Sequence, residues 1–485
     1  MGKFLFLTHG RALGWLMVIW LLPISLWSGF QSGDETRVAG IAAWMLCGHD
    51  WLVPHLNGVP FLEYPPLFYW WAALFMKVFG VHEWSASLAS SAAAAGSVLL
   101  VWRIVRKLGG TAVTAAAAGM ILMTSAQFLD DSCMVRVDIL LAFFVTLSFY
   151  GFCCIARLGE CRKLDDLRGF LLLASGIGGG IMTKGLVGAV LPASCMGTWL
   201  VLDAVLSRKV CIRAWLVTAA GFAVGLIPAA VWCWLLAGRA GGAEMVHTVV
   251  IVNNIGRFTG SQGDHVSPFY EYIIKLPVLF QPWLILVFAG LWALGRKVRQ
   301  DRDRTALLVI LYLLMPFIVL SVSGAKRLVY LLPLAPAAAL TAVQGGKFLL
   351  SRFFPAVQVS LLQLPVRTWF VIFAGIGIVI QVLFIGVYMH KAGEDSVKSL
   401  WQEAEKTARL ENREIVLISP PERASGAAVF YLGRTVETRM EMTLSGKAEL
   451  WILRHRWPDK YKKADRHRMF RIPEEYEQLK KLTAK

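Results

Sequence analysis

Apolar positions gather into runs of ~20 residues that recur along the first ~390 positions, separated by short stretches dominated by Lys and Arg. Each run is long enough to cross the ~30 Å hydrocarbon core as a helix, and none shows the strict alternation of a barrel strand. The pattern predicts spans near 12–30, 84–102, 111–129, 135–156, 169–182, 186–206, 214–236, 276–295, 305–322, 328–346 and 367–389, an all-α polytopic membrane protein of about eleven crossings. The first run follows Lys3 and Arg11 without a small-residue cleavage pattern, so it reads as a retained signal anchor. Basic clusters such as Arg103/Arg106/Lys107, Arg208/Lys209/Arg213 and Arg296 to Arg304 mark one side as cytoplasmic. That threading sends 31–83, 130–134, 183–185, 237–275, 323–327 and the C-terminal tail to the outer face. The long first outer loop is rich in Trp and Pro, and it predicts helices lying in the interface, with Trp44, Trp51, Trp70, Trp71 and Trp84 at headgroup depth.

After His390 the pattern changes. A charged helical stretch at 395–410, a strand at 414–419, a helix-like "ASGAAVFYLG" and a strand "AELWILRHR" predict a small α/β domain. The expected division is therefore a transmembrane domain at 1–389 and a C-terminal extramembrane domain at 390–485.

Composition agrees with a membrane protein: 56% hydrophobic, only 17% charged, mean hydropathy +0.57. The net charge of +17 does not point to nucleic acid, because about 20 of the 49 basic residues follow Met389 and most others sit in loops that set orientation. The eight cysteines form no CxxC pair; Cys47 and Cys133 are the pair open to a bridge across an oxidising compartment.

Ionisable groups at membrane boundaries are costly and commonly functional. Asp34 and Glu35, in "SGDETR", read either as a negative helix start or as catalytic carboxylates beside Arg37, with one of the two facing a cavity. Asp138 lies about a turn inside a span, where it either pairs with Arg136 or lines a polar cavity. Lys184 reads as a snorkelling anchor or an anion ligand. Arg257, Lys326 and Arg327 read either as snorkelling anchors or as a phosphate clamp, with Tyr330 a helical turn after Lys326 as a hydroxyl donor to the same site. Glu63 with His247 and His265 is the candidate set for a divalent metal ion, without ligand spacing to support it. No ATP-binding motif is present, so a transfer reaction here draws on the donor's own bond.

Four stretches carry a resemblance: "DETRVAGIAAWMLCGHDWLVPHLNGVPFLEYPP", "VRVDILLAFF", "MTKGLVGAVLP" and "SGAKRLVYLLPLAPAAAL". They resemble the membrane glycosyltransferases of the C-type fold, in the branch of aminoarabinose lipid A transferases and protein mannosyltransferases. The resemblance implies transfer of a sugar, with inversion, from a polyprenyl-phosphate donor on the periplasmic side of a bacterial inner membrane. It implies lipid A, another glycolipid or a protein as acceptor; a transporter without chemistry is the remaining alternative. By the same resemblance Asp34 corresponds to a first-loop catalytic aspartate and Asp138 to an aspartate at the start of a span. Arg37, Glu63 and Arg257 look like cavity residues, and Tyr330 resembles a tyrosine on the donor phosphate. One position departs: the family's E-K-P-P reads Glu63-Tyr64-Pro65-Pro66 here. Tyrosine supplies a hydrogen bond but no charge, so Lys326 or Arg327 is the expected compensation.

Overall fold

The computed structural model describes residues 29–30, 33–159, 164–260, 266–355, 375, 379, 382, 397–445, 447–458 and 463–477. The spans expected at 12–30 and 367–389 lie outside them, apart from isolated positions. The remaining elements are α1 (Gly33–Leu46), β1 (His55–Leu56), β2 (Val59–Pro60), α2 (Leu67–Phe79), α3 (Glu83–Lys107), α4 (Ala112–Met123), α5 (Ala126–Cys133), α6 (Val137–Ile155), α7 (Asp165–Lys184), α8 (Val187–Ser207), α9 (Ile212–Ala237) and α10 (Gly242–His247). A π-helix follows at Thr248–Gly256, then α11 (Glu271–Phe280), α12 (Leu284–Asp301), α13 (Arg304–Val322), a 3₁₀ segment at Leu328–Leu334 and α14 (Ala335–Phe353). The C-terminal part holds α15 (Val397–Leu410), β3 (Glu414–Ile418), α16 (Glu422–Leu432), β4 (Glu437–Arg439), β5 (Glu449–Pro458) and β6 (Lys463–Ile472).

The chain is a multi-pass helical membrane protein. Among the described residues six helices are long and apolar enough to cross a membrane, or up to eight if each of two bent pairs is one span. The bent pairs are α4–α5, turning by 67°, and α11–α12, turning by 108°, where the sequence pattern predicts the straight spans 111–129 and 276–295. Both breaks have local causes. Ser125 starts α5 and Pro282, lacking an N–H, separates α11 from α12. One backbone bond and one side-chain bond join the two breaks, in keeping with the need to satisfy polar groups in apolar surroundings. The N–H of Ala126 donates to the Gln281 carbonyl at 3.0 Å, and Trp283 Nε1 donates to Thr124 Oγ1 at 2.9 Å.

Contacts divide the chain into two compact units. The first holds Leu62–Phe68 and Leu88–Phe384. Here α6 and α7 approach backbone to backbone, since a Cβ on Gly151 would stand 2.6 Å from Leu173 N. Such small residues let helices associate where lipid offers no hydrophobic drive.

The second unit holds Ser25–Phe61, Tyr69–Ser87 and Ile385–Lys485. Its four-stranded sheet runs β4-β3-β5-β6, with β3 parallel to both neighbours and β5–β6 antiparallel. Trp401, Leu417, Ala427, Leu450 and Ile452 fill one face, and Val416, Trp451 and Phe470 fill the other. The α1 helix belongs to this unit and packs on α16. A Cβ on Gly40 would lie 2.3 Å from the Gly426 carbonyl oxygen, and Thr36 Oγ1 donates to the Arg423 carbonyl at 2.8 Å. Trp44, expected at headgroup depth, is buried here, stacked between His49 and His55 with centroids 4.4 Å away on each side. Cys47 is an exposed free thiol and Cys133 a buried one, so the bridge between them does not form.

Candidate active site

In the first unit, five segments deliver ionisable or aromatic side chains to one place. The Pro65–Pro66 pair fixes the turn before α2 and presents Glu63 and Tyr64. Asp138 occupies the first turn of α6 and Lys184 ends α7. Each stands at the helix end whose dipole favours its charge. Arg257 follows directly on the π-helix, an irregularity common at functional sites. Tyr330 comes from the 3₁₀ segment.

Their contacts interlock. Lys184 Nζ donates to Asp138 Oδ1 in a short, nearly buried ion pair. Arg257 Nη2 donates to Glu63 Oε1 at 2.6 Å. The Tyr64 ring is within reach of both cations, its centre 5.6 Å from Lys184 Nζ and 5.7 Å from the Arg257 guanidinium carbon. Lys184 also stands 4.2 Å over the Tyr330 ring. All of these lie within the reach of a cation–π attraction. Burial, then the negative charge of Glu63, holds the Tyr64 phenol well above its usual range, so this tyrosine is neutral. Burial opposes the Arg257 charge, yet the charge and hydrogen bond of Glu63 counter it, and the group is raised further.

Two asparagines that sequence reasoning passed over hold this frame. Asn253 Nδ2 donates to the Leu62 carbonyl at 2.8 Å, next to Glu63. Asn254 Oδ1 accepts from the Leu186 N–H at 2.7 Å. Gly185, at φ +76°, must be glycine, because a Cβ there would meet Asn254 Oδ1 at 2.2 Å. The available signal was their position in "VNNIGR", one turn before Arg257.

Several expected partnerships differ. Asp138 pairs with Lys184 rather than Arg136, and Arg136 faces Asp131 at 3.3 Å. Lys326 is buried, and its ammonium donates to the carbonyls of Ser267, at 2.9 Å, and of Ser323. Burial lowers its pKa. It thus staples the loop after α13 rather than replacing the missing lysine at position 64. The Arg327 carbonyl accepts from the Tyr272 hydroxyl at 3.2 Å. Glu63 is occupied with Arg257, His265 lies outside the described residues, and among the described residues no group of three His, Cys, Asp or Glu is arranged to hold a metal ion.

The acids of "SGDETR" belong to the second unit. Asp34 and Glu35 fall in the first turn of α1, where the helix dipole favours negative charge. Arg37 is shared: its Nη2 is 3.5 Å from Asp34, its Nη1 donates to Glu422 Oε2 at 2.7 Å, and its guanidinium lies 5.3 Å over the Phe61 ring. Glu35 is buried, and Asp34 keeps 29% of its side chain exposed. No signal in the sequence marked Glu422, which lies 385 positions away from Arg37.

Residues 63–234 match the family model described as dolichyl-phosphate-mannose-protein mannosyltransferase. The chain is 29% identical over 389 residues to the undecaprenyl phosphate-alpha-4-amino-4-deoxy-L-arabinose arabinosyl transferase of Pectobacterium atrosepticum, covering 78% of this chain and 66% of that one. Against the transferase of the same name from Pectobacterium carotovorum it is 30% identical over 381 residues, covering 77% and 64%. The chain thus spans less than two thirds of these relatives' length. Among solved structures, ArnT from Cupriavidus metallidurans, bound to undecaprenyl phosphate, superposes with a TM-score of 0.71 at 17% identity, covering 93% of each chain. That likeness is one of fold. In sequence the chain is thus similar to the aminoarabinose transferases and, over residues 63–234, to the protein mannosyltransferases, and its fold is like that of ArnT.

Proposed function

We propose that the chain transfers a sugar, with inversion, from an undecaprenyl-phosphate or similar polyprenyl-phosphate donor to an envelope acceptor, lipid A or another glycolipid. In this reading it lies in the bacterial inner membrane with about eleven crossings, and its active site and C-terminal domain (390–485) are periplasmic. The observation that carries the reading is the convergence of Lys184 and Arg257 on one buried tyrosine ring, with Lys184 also over the Tyr330 ring. A lipid phosphate needs cations for its head and an apolar approach for its chain.

The proposed roles follow the chemistry. Asp34 is the base that takes the proton of the acceptor hydroxyl, with Arg37 and Glu35 ordering its surroundings. The acceptor oxygen bonds to the anomeric carbon as the bond from that carbon to the phosphate oxygen breaks. The polyprenyl phosphate leaves with the electron pair, and Lys184 and Arg257 stabilise the charge that develops on it. Tyr64 and Tyr330 hold the two cations in place, while Glu63 and Asp138 set their positions. Lys326 and Arg327 contribute by fixing the loop that leads into the 3₁₀ segment.

A second reading keeps the donor and makes protein hydroxyls the acceptor. It is supported by the protein-mannosyltransferase family model that matches residues 63–234. Mass spectrometry of envelope lipids and proteins from cells lacking this chain tests both. A sugar mass missing from a lipid supports the first reading and one missing from a peptide supports the second. Unchanged lipids and proteins contradict both.

A further inference from the structure

The cations proposed to receive the donor phosphate are already matched one for one by carboxylates. Lys184 holds Asp138 and Arg257 holds Glu63, and the four side chains are 10%, 9%, 29% and 13% exposed. Their formal charges cancel. A phosphate entering this place meets no net attraction from these four groups until an ion pair yields. The frame allows the cations to yield without losing support, because both rest on the Tyr64 ring and Lys184 rests on Tyr330 as well. These ring faces remain as partners whichever anion each cation takes.

We propose that Glu63 and Asp138 act as internal counter-anions that occupy the phosphate site in the empty protein. Donor phosphate displaces them, drawing Arg257 and Lys184 from carboxylate to phosphate about the stationary Tyr64 ring. No covalent bond changes in this step: two ion pairs open, two form, and two carboxylates are released. The exchange rests on the phosphate-clamp reading above and adds to it a competitor. Its consequence is opposite to that of an ordinary ligand residue. Removing a carboxylate leaves a cation unmatched in a partly buried place, and a phosphate then binds more tightly, since it no longer breaks a pair. A neutral ring at position 64 suits this device. A third fixed cation would leave the cluster positive, whereas a neutral ring leaves it balanced.

The test uses the full chain in detergent micelles and measures the Kd of undecaprenyl phosphate for wild type, Glu63→Gln, Asp138→Asn, Arg257→Gln and Lys184→Gln. Intrinsic tryptophan fluorescence melting reports folding for each. The two carboxylate variants are expected to bind about threefold to tenfold more tightly, and the two cation variants at least about tenfold more weakly. Unchanged or weaker binding in folded Glu63→Gln or Asp138→Asn overturns the counter-anion role while the clamp stands. Undiminished binding in both cation variants overturns the clamp itself. If one carboxylate variant does not fold, the other decides, because the arms are independent pairs. A high-salt series adds a readout that a structural role does not move. The salt dependence of binding is expected to be steeper in the carboxylate variants, because the uncompensated cation attracts phosphate over a longer range.

Discussion

Lys184 Nζ stands 4.2 Å over the centre of the Tyr330 ring, so this tyrosine meets the cation with its face. The sequence suggests a different part for Tyr330, as a hydroxyl donor one turn after Lys326. The geometry separates the two. Tyr330→Phe keeps the face and is expected to leave the donor KM within about threefold, whereas Tyr330→Ala is expected to raise it about tenfold. Steady-state kinetics with a polyprenyl-phosphate sugar checks this, and equal damage in both variants would restore the hydroxyl role.

Tyr64 gives a second prediction. A lysine placed there sits beside Lys184 and Arg257, where like charges crowd and the buried ring that both cations face is gone. Tyr64→Lys is expected to lower the melting temperature of the empty protein and to recover part of the loss when undecaprenyl phosphate is added, since the ligand supplies the missing negative charge. Thermal melting with and without the lipid measures both.

The α1–α16 crossing is a third. The carbonyl of Gly426 leaves no room for a Cβ on Gly40, and a Cβ on Gly426 would meet the Thr36 carbonyl at 2.5 Å. Backbone must shift to admit either. Gly40→Ala is expected to cost about 2 kcal/mol or more and to reduce the yield of folded protein. Size-exclusion profiles and melting curves report it, and wild-type behaviour would show the crossing to be looser than described.

The C-terminal sheet supplies a pH prediction. Glu449 is fully buried, and its carboxylate accepts from Arg439 Nη2 at 2.7 Å and from Trp451 Nε1 at 2.7 Å, with Ser445 as a third donor. Burial alone pushes its pKa up, but these partners, Arg439 first, overcome that and bring it down from 4.5 to about 2. A carboxylate whose folded value is depressed adds stability that is present above its unfolded value and lost as pH falls through its folded one. The second unit is therefore expected to weaken as pH drops from about 4.5 towards 2, and Glu449→Gln is expected to flatten that dependence while lowering stability at neutral pH. Near-neutral and acid melting curves of the full chain, followed by tryptophan fluorescence, carry the test.

How far the sequence reached depends on the range of the interaction. Runs with one dominant period were legible: the spans expected at 84–102 and 305–322 fall inside α3 and α13, the one at 135–156 encloses α6, and the strand at 414–419 matches β3. The bends in α4–α5 and α11–α12 were not legible, because the apolar pattern continues past Ser125 and Pro282 and the hydrogen bonds that join the two breaks link distant positions. The β6 strand was missed because "KADRHRMFRI" is polar for most of its length and is ordered by its partner β5. Among the candidate residues, the types were visible and the pairings were not. Lys184 with Asp138, Arg257 with Glu63, and Arg37 with Glu422 are separated by 46, 194 and 385 positions, beyond the reach of any local spacing rule.

The central claim is that Lys184 and Arg257 hold the phosphate of a lipid-linked sugar while that sugar is transferred. It is tested most directly by sugar release from a radiolabelled polyprenyl-phosphate donor with the full chain reconstituted in liposomes. Arg257→Gln and Lys184→Gln are each expected to lower kcat/KM about a hundredfold, and Asp34→Asn to abolish turnover while leaving donor binding near its wild-type value. Full turnover in either cation variant, or translocation of the lipid without any sugar release by the wild type, would contradict the account.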